Sequence, residues 1–170
     1  MVVALSLLYV DFYQVQFCDP TLLVYVILAL LVFCLFNFRR HAKCFAGDVG
    51  SLSIGFILVY LVLRLALRGQ SMAWMAMLIV YAVDGGLTIL HRILLRENVM
   101  TPHKKHAYQI MANELKMPHL LVSGIYMALQ AVCSIWYIVY PGYLTLFLQA
   151  GLLCTAYVAF MIKYYPMHKQ

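Results

Sequence analysis

The chain has 170 residues, 65% hydrophobic and 11% charged, with a formal net charge of +6 and a mean hydropathy of +0.89. A soluble domain of this length cannot bury so much apolar surface, so a water-soluble fold is excluded and most of the surface must face lipid. The basic excess does not point to nucleic acid, because no cluster carries an aromatic platform of the RNA-binding kind; membrane topology explains it first, anionic lipid or phosphate ligands second.

Taken in chain order, residues 2–17 form the first apolar run. It contains Asp11 and Gln14 and reads as a weak or partial span. No basic stretch precedes residue 2, so no cleavable signal peptide is expected. The runs at 21–38, 49–68, 72–92, 119–140 and 143–164 each approach the roughly 20 residues needed to cross a bilayer. The expectation is one all-α membrane domain over residues 1–170, a polytopic bundle of five to six transmembrane helices. Between the runs, Arg39, Arg40 and Lys43 share one loop, and Arg92, Arg96, Lys104, Lys105 and Lys116 share another. Lys163 and Lys169 follow the last run. With alternating spans all of these fall on one side, leaving Arg64 and Arg68 near the other as snorkelling anchors. The positive-inside rule then places loops 39–48 and 92–118 in the cytoplasm. Within the longer loop, Ala107, Ile110, Met111 and Leu115 recur at helical spacing until Pro118, so an interfacial amphipathic helix is expected to roof a site among the spans. The five cysteines show no CxxC spacing, hence neither a disulfide framework nor a zinc signature.

Three places carry polar chemistry. Asp48 follows Gly47 at the mouth of the third run; it either caps the helix that begins at Val49 or offers Mg²⁺ a hard oxygen ligand, with Gly47 and Gly50 letting a phosphate approach the backbone. The surrounding GDVGS string is not a Walker loop, since it lacks the lysine and the glycine spacing. Asp84 lies inside the run 72–92, where a carboxylate is costly and marks a partner or a pathway. With Thr88, His91 and Arg92 it forms a polar stripe that should face the bundle interior. Its structural alternative is a bond to the Thr88 hydroxyl or a cation from another helix, and the adjacent Gly85 and Gly86 read as close-packing positions. Pro102-His103-Lys104-Lys105-His106 is either a solvated basic loop or a phosphate-binding patch to which Arg92 and Arg96 add contacts. The aromatic and Met-rich stretches of the last two runs read as lipid-facing or packing surface.

Residues Leu35-Phe36-Asn37-Phe38 and Ala42-Lys43-Cys44-Phe45-Ala46-Gly47-Asp48-Val49-Gly50-Ser51-Leu52 resemble the FN…PAK-FxGDxGSL motif of the polyprenyl-phosphate sugar-1-phosphate transferases, glycosyltransferase family 4. Asp84 and His91-Arg92 are similar to the aspartate and basic end of the next span in that family. Pro102 to His106 is similar to its PDRxHxHH segment. The resemblance runs over about residues 35–120. It implies transfer of a sugar-1-phosphate from a UDP-amino sugar to polyprenyl phosphate with release of UMP, requiring Mg²⁺ (or Mn²⁺), at the cytoplasmic face of a bacterial inner membrane. It further implies Asp48 as catalytic Mg²⁺ ligand and Asn37, Lys104, Lys105, His106 and Arg92 as substrate contacts, with Asp84 and His103 structural or functional.

The chain departs from the family pattern in three respects. Tyr108 and Gln109 stand where further histidines are usual, and His103 stands where an aspartate is usual. The family's adjacent aspartate pair and NFxDG motif are missing. The expectation is therefore the C-terminal half of a ten- or eleven-helix transferase: first a fragment or truncated reading frame, inactive alone, and second a half-enzyme that assembles with a separate N-terminal half or another subunit. The alternative is a non-catalytic scaffold or transporter subunit that keeps the fold. Donor sugar and prenyl length are not encoded legibly.

Overall fold

The computed structural model describes residues 1–39, 43–44, 46–96 and 106–168, the last four as backbone. Among these residues the protein is all helical. Five helical segments are long and apolar enough to cross a membrane: Pro20–Asn37, Gly47–Arg68, Met72–Leu94, His119–Val139 and Tyr143–Tyr164. They coincide with the five long apolar runs. The protein is thus an integral membrane protein by the length and composition of its helices.

The first helix, α1 (Val2–Tyr13), has 12 residues, too few to span. Asp11 explains how it ends. Its Oδ1 accepts the backbone N–H groups of Phe17 (2.9 Å) and Cys18 (3.0 Å), so the carboxylate that weakens the run as a span closes the connection to α2 (Pro20–Asn37). Asp19 caps α2 through the Thr21 N–H at 2.9 Å, and Pro20 occupies the first helical position, where its missing N–H costs nothing.

Helix α3 (Gly47–Arg68) buries only its far end, at Leu61, Val62, Leu65 and Ala66. There it packs on α1 and on a 3-10 segment, Met72–Leu78. Leu7, Val10, Phe17, Leu23, Trp74, Met77 and Tyr137 complete this main core. The opposite end of α3 is uncovered: Val49, Leu52 and Phe56 are 81%, 72% and 75% exposed, a surface that lipid or other helices would cover. The turn between α3 and the 3-10 segment is tight. A Cβ on Gly69 would stand 2.5 Å from the Trp74 indole nitrogen and 3.1 Å from the Leu65 carbonyl, so glycine is required there by space.

The span Met72–Leu94 is not one continuous helix. Its first seven residues are 3-10, begun by the Ser71 hydroxyl accepting the Ala73 N–H. The remainder is α4 (Ile79–Leu94). A helix that restarts in mid-span leaves orphan N–H groups in its first turn, and Gln130 of α6 (His119–Val139) answers one of them, accepting the Val80 N–H at 3.3 Å. Gln130 in turn donates to Ser134. Gln149 of α7 (Tyr143–His168) donates to the Cys133 carbonyl at 2.9 Å. These bonds tie α4, α6 and α7 together where lipid offers no hydrogen-bond partner.

The helix expected over 107–116 is α5 (Ala107–Asn113). It ends earlier than the periodicity suggests because Lys116 turns into the left-handed region (φ 51), and the Leu115 N–H returns to the Ile110 carbonyl. Ala107 and Ile110 are buried, and Ile110 packs against Met161 of α7. Gly85 and Gly86 do not serve close helix packing, since a Cβ at either would meet nothing within 4 Å.

Candidate functional site

Asp84, Thr88 and Arg92 recur every fourth residue on the face of α4 that the bundle buries; they are 7%, 1% and 1% exposed. The interior stripe is therefore real, with His91 at its margin, half-buried. The Asp84 carboxylate does not take the Thr88 hydroxyl. That hydroxyl donates to the Asp84 backbone carbonyl (2.6 Å) and meets the Tyr157 hydroxyl of α7 at 2.8 Å. The carboxylate faces three other groups. Oδ1 accepts the Ala107 N–H at 3.0 Å, Oδ2 accepts the Tyr126 hydroxyl at 3.2 Å, and His106 Nδ1 lies 4.0 Å from Oδ2.

His106 precedes α5 directly. Its own N–H donates to Gln109 Oε1 at 3.3 Å, a local closure that helps fix the first turn. Its ring stacks on Tyr108 with centroids 5.5 Å apart, and Tyr108 meets Tyr126 edge-on at 6.1 Å. Burial pushes the Tyr108 hydroxyl above its ordinary pKa, with the Asp84 charge adding to the effect, so this ring stays neutral at physiological pH. Beneath α5 a cavity of about 150 Å³ is lined by Asp84, Met111, Tyr126, Tyr157 and Phe160. Ala107 and Met111 of the amphipathic segment help line this space.

Asp48 stands elsewhere. It is the second residue of α3, which begins at Gly47 in the left-handed region (φ 62) with Ala46 before it. It does not cap the helix. Among the described residues its carboxylate makes no hydrogen bond or ion pair, and it is exposed. Ser51 closes this first turn instead, its hydroxyl donating to the Gly47 carbonyl at 2.9 Å. Asn37, half-buried, is the last residue of α2. Lys43 joins this end of α2, its N–H donating to the Phe36 carbonyl at 3.0 Å. His103, Lys104 and Lys105 lie outside the described residues. Of the sequence candidates, then, Asp84, His106 and Arg92 occupy the α4–α5 region. Asp48 and Asn37 stand at the facing ends of α3 and α2, the part of α3 that the described helices leave uncovered.

No group of three or more His, Cys, Asp or Glu side chains suited to a metal ion occurs among the described residues. A fully protein-built cage is not what Mg²⁺ requires, however. It keeps several waters and is held by one or two carboxylates together with substrate phosphates, and an exposed carboxylate with unshared oxygens, such as Asp48, fits that mode.

Sequence reasoning missed Tyr126 and Tyr157, which it read as packing or lipid surface. A signal was present. Tyr126, Gln130 and Ser134 repeat every fourth residue along α6, the same interior stripe that revealed Asp84.

Residues 1–66 match the family model described as Glycosyl transferase family 4. This segment contains the Asn37–Leu52 block, so over residues 1–66, less than half of the chain, the protein is similar to glycosyl transferase family 4, in agreement with the resemblance. Asp84 and His106 lie beyond the matched residues. No curated protein and no solved structure matches the chain.

Proposed function

We propose that this protein serves a membrane transferase that moves a sugar-1-phosphate from a UDP-amino sugar to polyprenyl phosphate, releasing UMP. The observation that carries the reading is Asp48: an exposed carboxylate in the first turn of a membrane helix, without a partner among the described residues and within the family-matched segment. In the reaction a phosphate oxygen of polyprenyl phosphate attacks the β-phosphorus of the donor, the bond to the bridging oxygen breaks, and UMP departs. Two anionic substrates must be brought together, so catalysis rests on positioning and on neutralising charge.

Asp48 would hold Mg²⁺, which when bound screens the phosphate charge and orients the diphosphate. Lys104, Lys105 and His106 would bind the diphosphate from the 92–118 loop. Asn37 and Arg92 would support the substrate from the ends of α2 and α4. Arg92 is 1% exposed, so it would act on the substrate through its neighbours rather than by direct contact. Placement at the cytoplasmic face follows from the distribution of lysine and arginine and lets a soluble nucleotide meet a lipid acceptor at the bilayer surface.

The test is UMP release from UDP-N-acetylglucosamine in membranes of the producing cells, where any partner half is present. Release should stop with EDTA and return with Mg²⁺. Release that persists unchanged in EDTA would remove the metal from the reading.

A further inference from the structure

Asp84 is expensive where it stands. A carboxylate 7% exposed within a membrane span persists only where its neighbours satisfy it. Two of its satisfied bonds go to other elements, one to a side chain of α6 and one to a backbone N–H of α5.

We propose that Asp84 is a positioning residue: its carboxylate pins the first turn of α5 to the spans and so fixes where His106 stands. The bond to the Ala107 N–H is the central contact. Ala107 is the first residue of α5 and directly follows His106, so holding that N–H at 3.0 Å holds the peptide that carries the histidine. The helix has seven residues, too few to persist by its own propensity, so its placement must come from tertiary contacts. Ile110 against Met161 anchors its body, and Asp84 anchors its start. The other carboxylate oxygen faces both Tyr126 and His106. The hydroxyl therefore fixes the orientation of the carboxylate, and the carboxylate's charge is directed at the imidazole. Tyr108 completes the cradle, stacked on His106 and edge-on to Tyr126. The Asp84 carboxylate thus links α4, α6 and the loop helix, and Thr88, one turn further along α4, meets Tyr157 of α7.

The kinetic consequence rests on the reading of His106 as a diphosphate contact; the anchoring does not. Asp84→Ala should speed hydrogen exchange across residues 106–110 by about tenfold or more, the loss of a charge-assisted bond to a buried N–H. It should also raise the donor KM about tenfold with kcat changed much less, because a displaced binding group weakens ground-state and transition-state binding alike. Asp84→Asn keeps an oxygen for the Ala107 N–H but removes the charge opposite His106, so its exchange should remain near that of the unaltered protein while the donor KM rises. The decisive arm is a double-mutant cycle: in a His106→Ala background, neither Asp84 variant should raise the donor KM further. A residue that merely stabilises the bundle would add its effect regardless of His106.

Unaltered exchange at 106–110 in Asp84→Ala overturns the anchor, and additive KM effects overturn its action through His106. Should Asp84→Ala fail to fold, Asp84→Asn in the same cycle decides the matter by the same criterion. If no sample releases UMP, the unaltered protein included, the reading of the reaction is at fault and the exchange rates still decide the anchor.

Discussion

On the proposed function, replacing Asp48 by Asn should lower Mg²⁺-dependent UMP release by at least about a hundredfold while leaving the fold intact. The size follows from what is removed: a charged ligand of a metal that stabilises developing phosphate charge contributes several kcal/mol to such a reaction, and Asn offers a neutral oxygen in nearly the same place. The fold is spared because the side chain is exposed and has no partner among the described residues. The substitution forfeits only the favourable placement of a negative charge at a helix N-terminus, about 0.3–1 kcal/mol. Ser51 continues to close the first turn through Gly47. UMP release and thermal unfolding in detergent, measured together, separate these effects. Release within a few-fold of the unaltered protein would take Asp48 out of the site, and a large loss of thermal stability would show that its role is structural.

Asp11→Ala has the largest expected effect on stability, a loss of about 3 kcal/mol. Two backbone N–H groups lose a charged acceptor at once, each such bond contributing about 1.5 kcal/mol or more. The side chain is 2% exposed, and Phe17 next to it is also buried, so water cannot readily take its place. Asp11→Asn, which keeps an oxygen for Phe17 and Cys18, should be milder. Cys18 supplies a second readout. Its thiol is pushed up to about 11, first by burial and then by the Asp11 carboxylate. A raised thiol pKa stabilises the protein at pH values below the unfolded value near 9, and that contribution is lost as pH rises toward 11. Without Asp11 the thiol ionises at lower pH, so maleimide should modify Cys18 faster at pH 9 in Asp11→Ala than in the unaltered protein. Equal rates and equal melting temperatures would contradict the role assigned to Asp11.

The parts of the structure that hydropathy controls were open to reading from sequence. Five spans and the short first helix follow from apolar length, and Asp11 marks the short one because a buried carboxylate must be satisfied locally. The interior stripe of α4 was legible because Asp84, Thr88 and Arg92 are polar at four-residue spacing in an apolar run. What escaped depends on partners distant in the chain. The 3-10 start of the third span contains no proline or glycine to announce it, and Trp74 packing edge-on to Tyr137 belongs to tertiary structure. Tyr126 and Tyr157 were lost among aromatic residues that suit lipid as well as they suit an interior, and only their hydroxyls distinguish the two. Gly85 and Gly86 suggested close packing from residue type, whereas among the described residues a Cβ on either would meet nothing within 4 Å.

Following the two donor phosphates separately tests the central claim most directly. Membranes containing the protein would be given UDP-N-acetylglucosamine labelled on either the α- or the β-phosphate, with polyprenyl phosphate and Mg²⁺. The account predicts that β-label passes into the lipid fraction while α-label leaves in UMP, both abolished by Asp48→Asn. Both labels leaving together in UDP would mean that the sugar alone is transferred, and would contradict it.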